Sequence, residues 1–213
     1  MDVVGHLGRL WDGLLVTLQL TILSFAGALI FGVVLAVMRI SPILPVRVLA
    51  GTYVELVRNI PLLVLLVIFV FGVPEIGIMY SLFLTVVTAM ALYGAAFVSE
   101  TVRTGVAAVT VNEAEAARAL GMTTVQTIWH IILPRALRAM IQPLGSVFIS
   151  IALGSSLAAA VGVSELTGQT DMINLEYADS GSTLVISSAL YVGITLSGGL
   201  FFGWLERRLA VHR

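Results

Sequence analysis

The sequence predicts an all-α integral membrane protein with five transmembrane helices, the N-terminus outside and the C-terminus cytoplasmic. Three observations predict it. Of 213 residues, 59% are hydrophobic and only 11% charged, with a mean hydropathy of +1.06, a composition suited to a bilayer rather than to water. Charge-free runs long enough to cross a membrane recur along the chain. Finally, the arginines fall almost entirely on one side of those runs, which orients them.

Residues 1–13 form a short lead containing Asp2, His6, Arg9 and Asp12. The first span is expected at about 14–38, a run of 25 residues without a charge, which at ~1.5 Å per residue exceeds a hydrocarbon core of ~30 Å. A basic turn with Arg39, Pro42, Pro45 and Arg47 follows. The second span, about 49–73, takes in Glu55 and Arg58, i,i+3 neighbours expected to neutralise one another, and Pro61, expected to kink the helix or to begin a new one. The third is expected at about 76–99, ended by Glu100 and Arg103, and the fourth at about 139–164, with Pro143, Gly145, Gly154 and Gly162. A polar, acidic linker from Glu165 to Asp179 is expected to be solvated. The fifth span, about 180–205, closes on Glu206, Arg207, Arg208 and Arg213. Gly27, Gly32, Gly94, Gly193, Gly198 and Gly199 permit close helix packing. At this length the chain is expected to be a single domain, 1–213.

All eleven basic residues are arginine. With the C-terminus inside, Arg39, Arg47, Arg58, Arg103, Arg118, Arg135, Arg138, Arg207, Arg208 and Arg213 fall on the cytoplasmic side and only Arg9 outside. The absence of lysine excludes a P-loop ATP site and Schiff-base chemistry. The absence of cysteine excludes disulfides and thiolate metal sites. A net charge of −1 leaves no nucleic-acid footprint. The N-terminus lacks a basic segment, short apolar run and small-residue cleavage site, so no removable signal peptide is expected. His6, His130 and His212 are far apart, Glu165, Asp171, Glu176 and Asp179 lack EF-hand order, and no catalytic cluster accompanies Ser155 and Ser156. No catalytic, metal or cofactor site is therefore expected.

The longest stretch unlike membrane runs from Asn112 to Pro134, within a cytoplasmic loop expected at about 104–138. Asn112 with Glu115 has capping-box spacing, followed by helix-forming alanines and by Gly121, a residue suited to a left-handed helix end. Thr123 with Gln126 repeats the spacing. Val125, Ile128, Trp129, Ile132 and Leu133 then make one apolar face of a second helix, with a corner or kink at Pro134. The polar residues of the fourth span, Gln142, Ser146, Ser150, Ser155 and Ser156, are the candidates for a solute path.

Glu115-Ala116-Ala117, three residues, Gly121, nine residues, then Ile131-x-Leu133-Pro134 resembles the "EAA" loop of permease subunits of bacterial ABC importers. Residues 17–42, 53–66, 93–105 and 158–167 resemble the polar amino-acid branch, the histidine, glutamine and glutamate type. The Val57-Arg58-Asn59-x-Pro61-Leu62 wording is most like the glutamate group. The resemblance implies a type I ABC-importer fold in the bacterial cytoplasmic membrane. It implies that Glu115, Ala116, Ala117, Gly121, Ile131, Leu133 and Pro134 couple to a separate ATPase, and that Glu100 and Arg103 anchor the helix leading into that loop. Its partners would be two ABC ATPase subunits, which bind the ATP, a second permease and an extracytoplasmic amino-acid-binding protein. One departure bears on the second permease. Where that branch carries lysine then Asp or Asn, this chain has Leu153 and Gly154, so a non-identical partner supplying the missing polarity is expected. The alternative from the residues alone is a self-contained secondary transporter or channel, which would need intramembrane charges for ion coupling.

Overall fold

A computed structural model describes residues 3–107, 116–177 and 180–209 of the chain. Among these residues the regular structure is entirely helical, as expected where no water is available to satisfy a free backbone. The elements are α1 (Val3–Arg39), α2 (Leu44–Asn59), α3 (Leu62–Glu75), α4 (Leu82–Ala107), α5 (Thr124–Val161), α6 (Leu166–Tyr177) and α7 (Ser180–Leu209). A short helical turn at 116–119 precedes α5.

Four of these helices are long and apolar enough to cross a membrane: α1, α4, α5 and α7. The expected second span is a pair, α2 and α3, bent by 108° at Ile60 and Pro61. Ile60 and Pro61 are extended, with ψ of 132° and 136°, and Pro61 opens a new helix. The pair makes a fifth crossing only if it is counted as one broken span.

The other boundaries shift for local reasons. The third helix starts at Leu82 rather than 76, because the chain first turns through Gly77 at φ +83°. The fourth begins at Thr124, because the second helix expected within the 104–138 loop runs on into the span. Pro134 lies inside that helix and makes no corner, since a widened π-turn at Ile128–Ile132 precedes it. The fourth helix ends in a 3₁₀ stretch, Ser155–Val161, and at Gly162, φ +97°. The Glu165–Asp179 linker is mostly the helix α6, and Glu165 is fully buried rather than solvated.

The core is built around α1 against α4. A Cβ on Gly27 would stand 2.8 Å from Ala91 Cβ, and one on Gly94 2.8 Å from Ala28 Cβ. Glycine at these sites is what lets the backbones close on Leu20, Val86, Ala89, Met90 and Val98. Gly198 seats Phe148 in the same way between α7 and α5, whereas Gly193 faces open space. The outward faces are apolar, with Ile30 and Val37 on α1 and Val185 and Leu200 on α7 all exposed, the reverse of a water-soluble helix bundle.

Candidate functional site

Three places carry the residues that the sequence singles out. The first is the corner between the 116–119 turn and α5. Gly121 has φ +83°, its N–H donates to Arg118 O at 2.9 Å, and the Met122 N–H donates to Ala117 O at 3.1 Å. This is a Schellman closure, which satisfies the last carbonyls of a helix and requires the left-handed residue. Among the described residues nothing lies within 4 Å of a Cβ built on Gly121, so there backbone conformation rather than packing calls for glycine. Two residues later the capping box expected at Thr123 is complete: Gln126 N–H donates to Thr123 Oγ1 at 3.3 Å, and Thr123 N–H to Gln126 Oε1 at 2.9 Å.

The corner presents apolar surface outward. Leu120, Val125, Ile128 and Trp129 are exposed, and Ile131, Leu133 and Pro134 half-buried. Ala117 is buried and Ala116 exposed. A recess of ~340 Å³ lies among Leu120, Gly121, Met122, Gln126 and His130. Asn112 and Glu115 lie outside the described residues.

The second place is the C-terminal end of α4, around Glu100. Glu100 receives Arg39 Nη1 of α1 at 2.7 Å and Arg103 Nε of its own helix at 3.3 Å, and Arg58 Nη1 of α2 lies 3.8 Å from it. Arg58 also stands over the Phe97 ring at 5.5 Å. Its expected partner Glu55 is not engaged by it; there, the Glu55 carbonyl accepts from Asn59 Nδ2 at 2.7 Å. One carboxylate thus ties three helix ends together, and Glu100 and Arg103 form only part of that knot.

The third is the polar face of α5. Ser146 and Ser150 line a cavity of about 290 Å³ with Leu62, Met90, Tyr93 and Phe97. Among the described residues no charged side chain lines it. Gln142 lies apart, its Nε2 donating to Glu206 Oε2 of α7 at 2.6 Å. Ser155 and Ser156 donate to Ala152 O and Leu153 O, both at 2.7 Å, and so satisfy the 3₁₀ stretch locally. The five expected path residues therefore do not form one surface. Leu62, Tyr93 and Phe97 were not singled out by sequence; an aromatic or leucine in a span gives no signal of facing a cavity.

Sequence reasoning also missed Glu165. Its carboxylate caps α6, Oε2 accepting from the Thr167 N–H at 3.0 Å and Oε1 from the Gly168 N–H at 2.9 Å. The same Oε2 accepts from Thr17 of α1 at 3.2 Å and from Tyr191 of α7 at 2.6 Å. Burial pushes this carboxyl above the ordinary carboxylate range, against the hydrogen bonds, which pull it back. Among the described residues no group of three His, Cys, Asp or Glu is placed to hold a metal ion.

Comparison with known proteins follows this geometry. Residues 28–211 match the family described as binding-protein-dependent transport system inner membrane components. The chain is 36% identical over 204 residues to a protein of Bacillus subtilis described as the probable glutamine ABC transporter permease protein GlnM, covering 93% of this chain and 92% of that one. It is also 36% identical over 214 residues to the glutamate transport system permease protein GluC of Corynebacterium glutamicum, with 93% and 92% covered. A crystal structure of an amino acid ABC transporter with histidines superposes with a TM-score of 0.91 at 32% identity, covering 97% of each chain.

Proposed function

We propose, for a chain that belongs to the family of binding-protein-dependent transport system inner membrane components, that it forms the translocation path for a polar amino acid, glutamate or a relative, and is driven by a separate ATPase docked at the Gly121 corner. The chain is a multi-pass membrane subunit of an ABC importer, a transport component rather than an enzyme. ATP is held by the partner ATPases and not here. The membrane is the bacterial cytoplasmic membrane, with the N-terminus outside and the Gly121 corner inside, where most arginines lie.

The observation that supports coupling best is the corner itself. A Schellman closure and a complete capping box stand back to back over Ala117–Gln126. Such a corner fixes the angle between two helices, and its exposed Leu120, Val125 and Trp129 offer an apolar face to a groove. Force from ATPase closure is passed along α5, which continues from this corner to the cavity without a sharp break. Ala116, Ala117, Gly121, Ile131, Leu133 and Pro134, with Glu115, are the coupling residues in this reading. Glu100 and Arg103 hold the end of α4 from which that loop departs.

The cavity bears on the partner permease. It offers two serine hydroxyls and a tyrosine but no charge, too little to hold both an α-ammonium and an α-carboxylate out of water. A second, non-identical permease supplying that polarity fits this lining. Substrate arrives from an extracytoplasmic binding protein, toward which α6 faces.

The deciding experiment is a pull-down of the detergent-solubilised chain from its native membrane, beside a Glu115→Arg, Gly121→Asp double variant. Recovery of an ATPase with the wild type and its loss in the variant is the expected result. A well-folded wild-type chain that brings no ATPase overturns the coupling reading. A transport-competent particle containing only this permease overturns the non-identical partner.

A further inference from the structure

The helix α6 is held along its whole length, although its sequence reads as a polar connector. At its first turn Glu165 accepts from α6 itself, from Thr17 of α1 and from Tyr191 of α7, while Thr17 Oγ1 accepts from the Leu166 N–H at 3.1 Å. Beside the same turn, Gly13 of α1 leaves room for a backbone contact: a Cβ there would stand 2.9 Å from both Leu166 Cα and Gln169 Cγ. The Thr170 hydroxyl bonds the Ser187 hydroxyl of α7. At its last turn Arg9 Nη1 pairs with Glu176 at 2.7 Å, and the His6 ring lies on Tyr177 with centroids 4.6 Å apart. The connection to α5 is different in kind. There α5 itself ends in the 3₁₀ stretch Ser155–Val161, closed at Gly162, a geometry with poorer hydrogen bonds that occurs at hinges.

We infer that Glu165 is a positioning residue that fixes α6 on α1 and α7 as a strap that does not lift during transport, conformational change at this end being taken up by Ser155–Gly162. Any sliding of α6 would strand a dry carboxylate and its donors together, and each buried group left without a partner is costly. The hydroxyls of the 3₁₀ stretch are not tied to another helix in this way: Ser155 and Ser156 donate to Ala152 O and Leu153 O in the α-helical turn just before it. The inference rests on the transporter reading above.

Because the chain has no cysteine, introduced pairs report cleanly. Gln169 Cγ lies 2.9 Å from the Gly13 Cβ position, so the two Cβ atoms of a Gly13→Cys, Gln169→Cys pair lie within about 4.4 Å, disulfide range. The pair is made in the full complex reconstituted with its ATPase and binding protein, and ATP-driven uptake is followed before oxidation, after it and after reduction. Uptake unchanged within about twofold in the cross-linked complex is expected, since a disulfide only fixes a distance already held. Loss on oxidation with recovery on reduction overturns the strap, as does failure of the disulfide to form in the assembled complex. Where Gly13→Cys prevents assembly, a His6→Cys, Tyr177→Cys pair bridged by a short bis-methanethiosulfonate gives the same readout. Glu165 is tested on the same pair: Glu165→Ala should slow disulfide formation by about tenfold, and Glu165→Gln, which keeps an acceptor, should restore most of the rate. Equal rates in both variants overturn the positioning role. No uptake by the cysteine-free parent counts against the transporter reading instead, so the two failures are separable.

Discussion

Burial of the Glu165 carboxyl raises its pKa and so makes the protein's stability depend on pH with a definite sign. The folded chain holds the Glu165 proton more tightly than the unfolded chain. The corresponding stability is therefore full below the ordinary carboxyl value of ~4.3 and is lost as pH rises through the raised one. Wild type should lose melting temperature relative to Glu165→Gln as pH rises from ~4.3; a difference flat with pH in detergent would contradict the buried, desolvated carboxyl. Gly121 is the opposite case, conformation without burial. Its φ of +83° costs an alanine ~1–2 kcal/mol, while asparagine tolerates that region better. Both fit the open space around it, so Gly121→Ala should impair uptake at unchanged membrane insertion and Gly121→Asn should retain more of it. Equal uptake in the two variants would dissociate function from the left-handed corner. The two residues also differ in legibility. Gly121 announces itself through neighbours, alanines before it and Thr123 with Gln126 after it. Glu165 bonds Thr17 and Tyr191, 148 and 26 residues away, and no local pattern marks such a partner.

The same contrast governs the helices. Long charge-free runs made the helical class readable, because in a bilayer composition and backbone satisfaction leave little else. Breaks were harder, because proline acts through its surroundings. Pro61 does begin a new helix, but Pro134 does not end one. An α-helical turn would set the Pro134 ring against the carbonyl of His130. The chain widens instead, Leu133 N–H donating five residues back to Ile128 O, and the same device precedes Pro74, where Val73 N–H donates to Ile68 O. Such a turn accommodates one extra residue, so closing it to α-helix would rotate everything before it by about 100°. Pro134→Ala should therefore insert normally but misdirect the Thr123–Gln126 corner, lowering uptake by about one to two orders of magnitude, as small misplacements of working groups do. Unchanged uptake together with unchanged ATPase recovery would show that the π-turn is not needed to aim the corner. The helix ends are joined more firmly at Glu100. Truncating it to alanine strands Arg39, which is only 15% exposed, and should cost about 1.5–3 kcal/mol. Arg103→Ala removes a partner that is 44% exposed and should cost no more than about 1 kcal/mol. Melting of the two variants side by side would reveal the difference, and equal losses would rule out the three-helix tie.

For the whole molecule, the side on which the N-terminus and the Arg39–Arg47 turn lie relative to the Gly121 corner turns on whether α2 and α3 together cross the membrane. The stretch Leu62–Glu75 reaches only about 21 Å at ~1.5 Å per residue, short of a ~30 Å core. The helix α2 must then supply the remaining depth despite the 108° bend. It is placed to do so: Tyr53 O–H donates to Leu92 O within α4 at 3.0 Å, and Arg58 reaches Glu100 near the same helix's C-terminal end. With the pair as one broken span, Ser41 and Met79 lie on opposite faces of the membrane and the arginines gather inside. An impermeant maleimide on intact cells should then label Met79→Cys and Leu175→Cys, both highly exposed positions. Ser41→Cys and Gln126→Cys should react only after permeabilisation. Ser41 and Met79 labelled from the same side would make the bent pair re-entrant and the crossings four, placing the two termini on one face. Arg39 and Arg47 would then lie across the membrane from the Gly121 corner, against the 2.7 Å Arg39–Glu100 pair that holds the C-terminal ends of α1 and α4 on one side, while the corner and α6 stay on opposite faces in either case because α5 runs between them.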